Sequence, residues 1–282
     1  MKKGLVILAL MITMLPIGSA DARTIHFSGM DWQVKSGTGG PNPNQLEQNY
    51  WSDSSDSVWI DSENRLHMKI RYEDGVWKCA EVESIDTMKY GDYTWEISNR
   101  IDNLDPNVVF GLFLYSDQHD NEYDIEFSRW GDDEAYSKNV FYSCWGPGID
   151  TPIKKAFQAN LSGDYSTHIL KWYEGGVSFA SYQGHSFDDL ISSWQPDYYP
   201  EATPENNMRL HMNLWLDVER HPFIPGYSDI EIIVNKVSIA NDLEIGYETS
   251  SNSCRIDPAV RSSERSTGSR VPTGTLYSQF RA

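Results

Sequence analysis

Cysteine is scarce in this chain of 282 residues, which has only Cys79, Cys144 and Cys254. Their spacing matches no zinc or other metal site, so no metal and no cofactor is expected, and a structural calcium ion is not indicated. In an exported protein, one pair could form a disulfide and leave one thiol free. The sequence does not choose among the three pairings or the fully reduced state.

Basic residues are also few, since 23 Lys and Arg stand against 41 Asp and Glu, for a formal charge of -18. Phosphates and anionic membrane surfaces repel such a protein, so neither nucleic acid nor membrane is expected as a partner. A neutral polysaccharide is not repelled, and 10 Trp and 16 Tyr offer flat faces for sugar rings. The alternative is that the charge only keeps the protein soluble.

Long apolar runs are absent except at residues 4–15, which follow two lysines and precede Ala20-Asp21-Ala22. This order is typical of a secretory signal peptide, which we predict over residues 1–22, with cleavage after Ala22 or Ala20. We therefore expect a secreted or extracellular protein, with the periplasm or cell surface as other locations, and no membrane contact after cleavage. An uncleaved membrane anchor is the alternative.

The composition changes after Ile245, because residues 246–282 are rich in Ser, Thr, Gly and Arg and show no apolar periodicity. This composition predicts a disordered polar tail. A solvated tail is favoured over one that docks on the acidic domain or on a cell surface. Residues 23–245 are predicted to form one domain, which we expect to be monomeric.

The rest of the chain reads as short runs of alternating or apolar residues, separated by turn residues, with few helical patterns. This arrangement predicts an all-β sandwich or barrel. Only residues 187–194 favour a short helix. Strands are predicted over residues 58–60, 66–70, 90–97, 108–115, 121–127, 139–144, 168–173, 177–182, 209–216 and 229–239.

Three acidic residues alternate with apolar ones in the run 121–127, and on a strand Glu122, Asp124 and Glu126 would share one face. Like charges on one face are destabilising, so stability alone does not explain them. A reaction that needs one ionised and one protonated carboxyl group does require such a set. The alternatives are a lectin-like sandwich that holds calcium or sugar hydroxyls, and a merely solvated face.

The motif Glu122-x-Asp124-x-Glu126-Phe127 resembles the active-site signature of glycoside hydrolase family 16. That family includes lichenases, laminarinases, agarases, κ-carrageenases and xyloglucan transglycosylases. The resemblance implies a concanavalin A-like jelly-roll sandwich of two antiparallel sheets, with a substrate cleft on the concave sheet. Further similarity, from about Trp32 to Ile239, lies in the segments 79–82, 90–93, 111–115, 168–172, 182–184 and 211–215.

The resemblance also implies the roles of the acids. Glu122 would be the nucleophile, Glu126 the general acid/base, and Asp124 the residue that tunes their protonation. The expected activity is that of a retaining endo-β-glycosidase, which cleaves a β-glucan-type polysaccharide through a covalent glycosyl-enzyme intermediate. Transglycosylation shares the first half-reaction and stays open. We expect the charge of Glu122, relayed through Asp124, to raise the pKa of Glu126.

Substrate-binding candidates follow from the same resemblance. The single residue between Asp124 and Glu126 resembles the lichenase and transglycosylase branches, which favours a β-1,4-containing or mixed-linkage glucan. Departures at Asp120, where a Trp is frequent, at Glu83, where lichenases often have Arg, and in the insertion 129–131 leave the sugar unnamed. The residues that match cleft positions are Glu81, Phe113, Tyr115, Asn213 and Trp215, and Trp130 and Trp145 are local candidates.

Overall fold

A computed structural model describes residues 22–38, 49–132, 134, 137–217 and 229–241. Seventeen strands and two single-turn 3-10 helices, Ile101–Asn103 and Pro204–Asn206, lie in these residues. No helix among them is long and apolar enough to cross a membrane. The strands are β1 Thr24–Phe27, β2 Met30–Val34, β3 Gly37–Thr38, β4 Tyr50–Trp51, β5 Val58–Ile60, β6 Leu66–Glu73, β7 Val76–Ser84, β8 Gly91–Ile97, β9 Val108–Ser116, β10 Asn121–Phe127, β11 Val140–Trp145, β12 Ile153–Phe157, β13 Ser166–Tyr173, β14 Gly176–Gln183, β15 Leu190–Trp194, β16 Arg209–Leu216 and β17 Ile230–Asn241.

Fifteen of the strands form two antiparallel layers, while the short strands β3 and β4 pair with each other and β4 lies parallel to β7. One layer has the order β1-β2-β7-β16-β9-β10-β11-β12. The other has the order β5-β6-β17-β8-β13-β14-β15. The hairpin between β6 and β7 links the layers. The all-β jelly-roll sandwich that the sequence predicts is thus confirmed.

The core lies between the layers and takes the apolar side of each strand. On β10, Tyr123, Ile125 and Phe127 are fully buried. The ring of Phe127 stacks on Phe110 of β9 at 5.7 Å and meets His168 of β13 edge-on at 4.7 Å. Since successive side chains on a strand point to opposite faces, this packing turns the acidic residues of β10 toward the other side of the sheet.

The predicted helix at residues 187–194 is wrong, because Leu190–Trp194 forms strand β15 beside β14. Trp194 lies opposite Phe179, and the two rings stack at 5.6 Å, so a cross-strand pair overrides the local pattern. Five strands, β1, β2, β3, β4 and β12, were not predicted from the sequence, although the residues of β2 alternate between apolar and polar.

The cysteine question is resolved in part, since the thiols of Cys79 and Cys144 are both free and buried. Cys254 lies outside the described residues. The same holds for residues 1–21 of the predicted signal peptide and for the predicted tail over 246–282, so these remain predictions.

Candidate active site

The three acids of β10 lie side by side on one face of the first layer, between β9 and β11. Glu122 and Glu126 are partly exposed, whereas Asp124 between them is 2% exposed. Antiparallel pairing places one side chain from each neighbouring strand beside each acid. Opposite Glu122 lie Tyr115 and Trp145, opposite Asp124 lie Phe113 and Ser143, and opposite Glu126 lie Gly111 and Phe141.

Glu126 keeps its proton more tightly than an ordinary glutamic acid. Burial raises its pKa to about 7, the positive charge of Lys154 opposes this, and the negative charge of Asp217 adds to it. The direction agrees with the sequence-based expectation, but the main cause is burial rather than the charge of Glu122. A glutamic acid that is protonated near neutral pH can act as a general acid.

Burial and then the charges of Glu126 and Glu122 raise the pKa of Asp124 well above the usual range. A hydrogen bond from Ser143 opposes the shift. The buried Oδ1 of Asp124 has no conventional hydrogen-bond partner among the described residues. A proton on Asp124 gives it a donor, and Glu122 is the acceptor beside it.

Opposing effects act on the pKa of Glu122. Burial raises its pKa to about 8, and the charges of Glu126 and Glu81 add to this. The hydrogen bond with Asp124 lowers it. Because the three acids titrate as one set, the cluster can hold protons on Asp124 and Glu126 while Glu122 accepts a hydrogen bond from Asp124 as a carboxylate.

A cavity of about 530 Å³ opens beside Glu122. Glu81 forms one wall and is 6% exposed, with Lys35 Nζ at 2.7 Å and His211 Nδ1 at 3.4 Å from its carboxylate oxygens. The His211 ring stacks on Phe113 at 4.8 Å. The cavity thus brings together five of the sequence-predicted site residues, which are Glu81, Phe113, Tyr115, Glu122 and Asn213.

Gly111 makes room at the centre of this face. A Cβ at that position would lie 2.6 Å from Oδ1 of Asn213. That oxygen is buried and has no hydrogen-bond partner among the described residues. Gly111 also lies opposite Glu126, so its missing side chain avoids a clash with Asn213 next to that acid.

The three predicted tryptophans lie elsewhere. Trp130 and Trp215 pack at 6.0 Å, and Trp130 meets Phe141 at 6.1 Å, so they form an aromatic cluster beyond Glu126. Trp215 is only 5% exposed, which limits the face that it can offer to a sugar. Trp145 lies opposite Glu122 and is partly exposed. None of the three is among the described residues that line the cavity.

Sequence reasoning missed Lys35, Ser143 and His211. His211 could have been found, because it alternates with Asn213 and Trp215 and so shares their face of β16. Ser143 is identified only by the pairing register of β10 with β11. Lys35 directly follows strand β2, and no sequence motif identifies it as a site residue.

The described part of the chain contains no group of three or more His, Cys, Asp or Glu side chains that could hold a metal ion. The acids of β10 point along one flat strand rather than around a loop, and calcium ligands usually come from loops. That no cofactor is needed stays a prediction.

No protein-family model matches the sequence, and no curated protein matches it. The structure is similar to a Bacillus licheniformis β-glucanase, with 17% identity, a TM-score of 0.57, and coverage of 79% of this chain and 99% of that one. It is also similar to a glycoside hydrolase family 16 endo-glucanase from Bacteroides ovatus, solved in complex with G4G3G-2F-DNP. There the identity is 15%, the TM-score 0.52, and the coverage 74% of this chain and 94% of that one.

A third similar structure is described as an immunostimulatory antigen and pseudo β-1,3-glucanase of Mycobacterium tuberculosis. It has 16% identity and a TM-score of 0.56, and the match covers 74% of this chain and 90% of that one. At identities of this size, the likeness concerns the fold. This chain therefore has the jelly-roll fold of the family 16 glycoside hydrolases.

Proposed function

We propose that this chain is a secreted, retaining endo-β-glycosidase that hydrolyses the O-glycosidic bonds of a β-glucan-type polysaccharide through a covalent intermediate. The observation that carries the proposal is the row of Glu122, Asp124 and Glu126 on one strand face beside a cavity, with the pKa of each raised. The fold alone would not carry it, because one similar structure is described as a pseudo β-1,3-glucanase.

In the first step, the carboxylate of Glu122 attacks the anomeric carbon as the bond to the leaving oxygen breaks. Glu126 gives its proton to that oxygen, which departs as a sugar hydroxyl. The raised pKa of Glu126 supports this role, because the group enters the reaction protonated near neutral pH. The products are a glycosyl ester on Glu122 and an ionised Glu126.

In the second step, the carboxylate of Glu126 takes a proton from water while the water oxygen attacks the anomeric carbon. The ester bond to Glu122 breaks, and both acids return to their starting states. Two displacements at one carbon retain its configuration. If a sugar hydroxyl replaces water in this step, the same residues carry out transglycosylation, which is the alternative reaction.

Asp124 acts by holding a proton between the two glutamates. Its raised pKa keeps it protonated, and its hydrogen bond lowers the pKa of Glu122. The first step requires Glu122 to be ionised, and this hydrogen bond opposes the rise of its pKa. After the attack, Glu122 is a neutral ester. The proton on Asp124 can then donate a hydrogen bond to an oxygen of this ester.

Secretion and the monomeric state are part of the proposal. The lysines, apolar run and Ala-x-Ala site at the start of the sequence support export. N-terminal sequencing of the exported protein should give Asp21 or Arg23, and a start at Met1 would contradict cleavage. Size-exclusion chromatography with light scattering tests whether the protein is a monomer.

Trapping of the intermediate tests the mechanism. A 2-deoxy-2-fluoro β-glucosyl oligosaccharide with a dinitrophenyl leaving group should label the wild type, and peptide mapping should place the label on Glu122. Glu122→Gln should not be labelled, whereas Glu63→Gln, which changes a carboxylate whose side chain is 70% exposed, should be labelled like the wild type. A label on another residue, or hydrolysis with inversion seen by NMR, would refute the proposal.

A further inference from the structure

The cavity beside Glu122 carries mostly negative charge. Four carboxylates line it, from Glu81, Glu83, Asp117 and Glu122. Among the described residues that line the cavity, Lys35 is the only lysine or arginine. The lining of the cavity therefore stays acidic, because one lysine can neutralise only one of the four carboxylates.

The two basic side chains are already engaged. The ammonium group of Lys35 lies 2.7 Å from Glu81 and 4.6 Å from the centre of the Trp51 ring. His211 is 4% exposed, stacks on Phe113 and points one ring nitrogen toward Glu81. Each basic group is thus paired with Glu81, and the other three carboxylates leave the cavity with a net negative charge.

Two carboxylates remain available to a ligand. Glu83 has a side chain that is 30% exposed, and its distance of 3.8 Å to Nε2 of His211 is too long for a hydrogen bond. Asp117 lies exposed at the rim, in the turn between β9 and β10. Burial and then the charges of Asp117, Glu122 and Asp120 raise the pKa of Tyr115, which shows the same negative field on that wall.

An uncharged acceptor adds to this pattern. The buried Oδ1 of Asn213, which lines the cavity, lacks a hydrogen-bond partner among the described residues. Carboxylates and an amide oxygen all accept hydrogen bonds, so the cavity calls for donors from its ligand. An ammonium group offers three donors and a positive charge, whereas a hydroxyl offers one donor.

We propose that this cavity binds a sugar residue with a free, protonated amino group, so that the preferred substrate is an amine-bearing β-linked polysaccharide. The inference rests on the proposed glycosidase function and specifies its substrate class. Affinity should be highest for the ammonium, lower for the hydroxyl and the acetamide, which each offer one donor and no charge, and lowest for the carboxylate, which offers no donor and a negative charge. A polycationic chain also suits the formal charge of -18 on the protein.

Four tetrasaccharides with the same β-1,4 backbone test this order: the glucosamine, glucose, N-acetylglucosamine and glucuronic acid tetramers. Binding is measured by calorimetry in mildly acidic buffer with the Glu126→Gln variant, which should not cleave them and whose altered residue is not among those that line the cavity. The glucosamine tetramer should bind on the order of tenfold more tightly than the glucose tetramer. High salt should reduce this preference, because it depends on charge.

Matched variants locate the cause. In the same background, Glu83→Gln or Asp117→Asn should bring the ratio of the two affinities closer to one, while Glu63→Gln should leave it unchanged. Asp117 lies in an exposed turn, so its variant should fold even if the Glu83 variant does not. Equal or weaker binding of the glucosamine tetramer, or a ratio that neither cavity variant changes, would overturn the inference.

Failure of this inference is distinguishable from failure of the proposed function. Hydrolysis of neutral β-glucan by the wild type, without any preference for the glucosamine tetramer, would refute only the amine-binding cavity. Preference for that tetramer without hydrolysis of any polysaccharide would refute the glycosidase and leave the cavity assignment intact.

Discussion

The two faces of strand β10 are built from alternate residues of the same short segment, yet they differ in almost every physical respect. Tyr123, Ile125 and Phe127 are fully buried against apolar and aromatic side chains. On the other face, Glu122 lines the cavity and Glu126 is partly exposed, while burial raises the pKa of both. Burial of the apolar face stabilises the folded protein, whereas burial of ionised carboxyl groups on the other face destabilises it.

This contrast indicates that burial of the apolar face offsets the repulsion among the three acids on the opposite face. Three neighbouring carboxyl groups repel one another when ionised, so the cleft face alone would disfavour the strand. The apolar face fixes the strand and its register, and the acids are held in place at a cost to stability. Substitutions on the two faces should therefore separate activity from stability.

The largest expected effect is on activity, from Glu122→Gln. Loss of the nucleophile should lower kcat by about 10⁴-fold or more, because the attacking carboxylate is gone. The melting temperature should stay the same or rise, since one of three repelling acids is removed. Reducing-end assays on β-glucan and thermal melts measure the two effects, with Glu63→Gln as the control. Turnover near the wild-type rate would contradict the role of Glu122.

The next effect is on stability, from Phe127→Ala on the opposite face. Removal of a fully buried ring that packs on Phe110 and His168 should cost about 3–5 kcal/mol in the free energy of unfolding. Denaturant titration measures the loss. Phe187→Ala, at a ring that is 60% exposed, should change stability by less than about 1 kcal/mol. Equal losses in both variants would contradict this view of the core.

Asp124→Asn should show the cost of the acidic face as a function of pH. The pKa of Asp124 is raised in the folded protein. As the pH rises above 3.8, the ordinary pKa of this group, the unfolded chain loses the proton while the folded protein keeps it, so stability falls. The Asn variant avoids this loss and should be more stable near neutral pH, on the order of 1 kcal/mol, with the difference closing at low pH. Thermal melts across the pH range measure it.

The same variant should lower activity by about 10²-fold, because the Asn amide keeps a donor for Glu122 but cannot exchange the proton that Asp124 holds between the two glutamates. A stability difference between Asp124→Asn and the wild type that grows as the pH falls would contradict the raised pKa. A control at the exposed Asp188, changed to Asn, should show no comparable dependence on pH.

The smallest effect should come from Tyr123→Phe on the core face. The Tyr123 hydroxyl donates to the carbonyl of Pro200 at 2.7 Å and accepts from the amide of Ala202 at 2.8 Å. Its loss should cost about 1–2 kcal/mol in the free energy of unfolding, with kcat nearly unchanged. Chemical denaturation together with kinetics checks both parts, and a large drop in kcat at full stability would show that the two faces are not separable.

The sequence predicted those parts of the fold and site that depend on local alternation. The face shared by the three acids, strand β16 at residues 209–216 and the all-β sandwich follow from a period of two. The predicted helix at residues 187–194 failed because the stacking of Trp194 on Phe179 is a contact between strands. Local patterns do not contain such contacts.

Parts of the site that depend on register could not be predicted. Ser143 and Gly111 matter because they lie opposite Asp124 and Glu126, and pairing across strands determines which residues meet. Lys35 reaches Glu81 across 46 positions in the chain. Burial, which is the main cause of the raised pKa of Glu126, also arises only in the assembled sandwich.

The alternation of β10 also constrains how this protein can change over evolutionary time. Loss of one residue within the strand would exchange its faces, placing acids in the core and Tyr123, Ile125 and Phe127 in the cleft. Such a deletion would disrupt the active site and the core together, so selection could not retain the variant for its activity or for its stability alone. New specificities are therefore more accessible through substitutions on neighbouring strands and through changes of loop length.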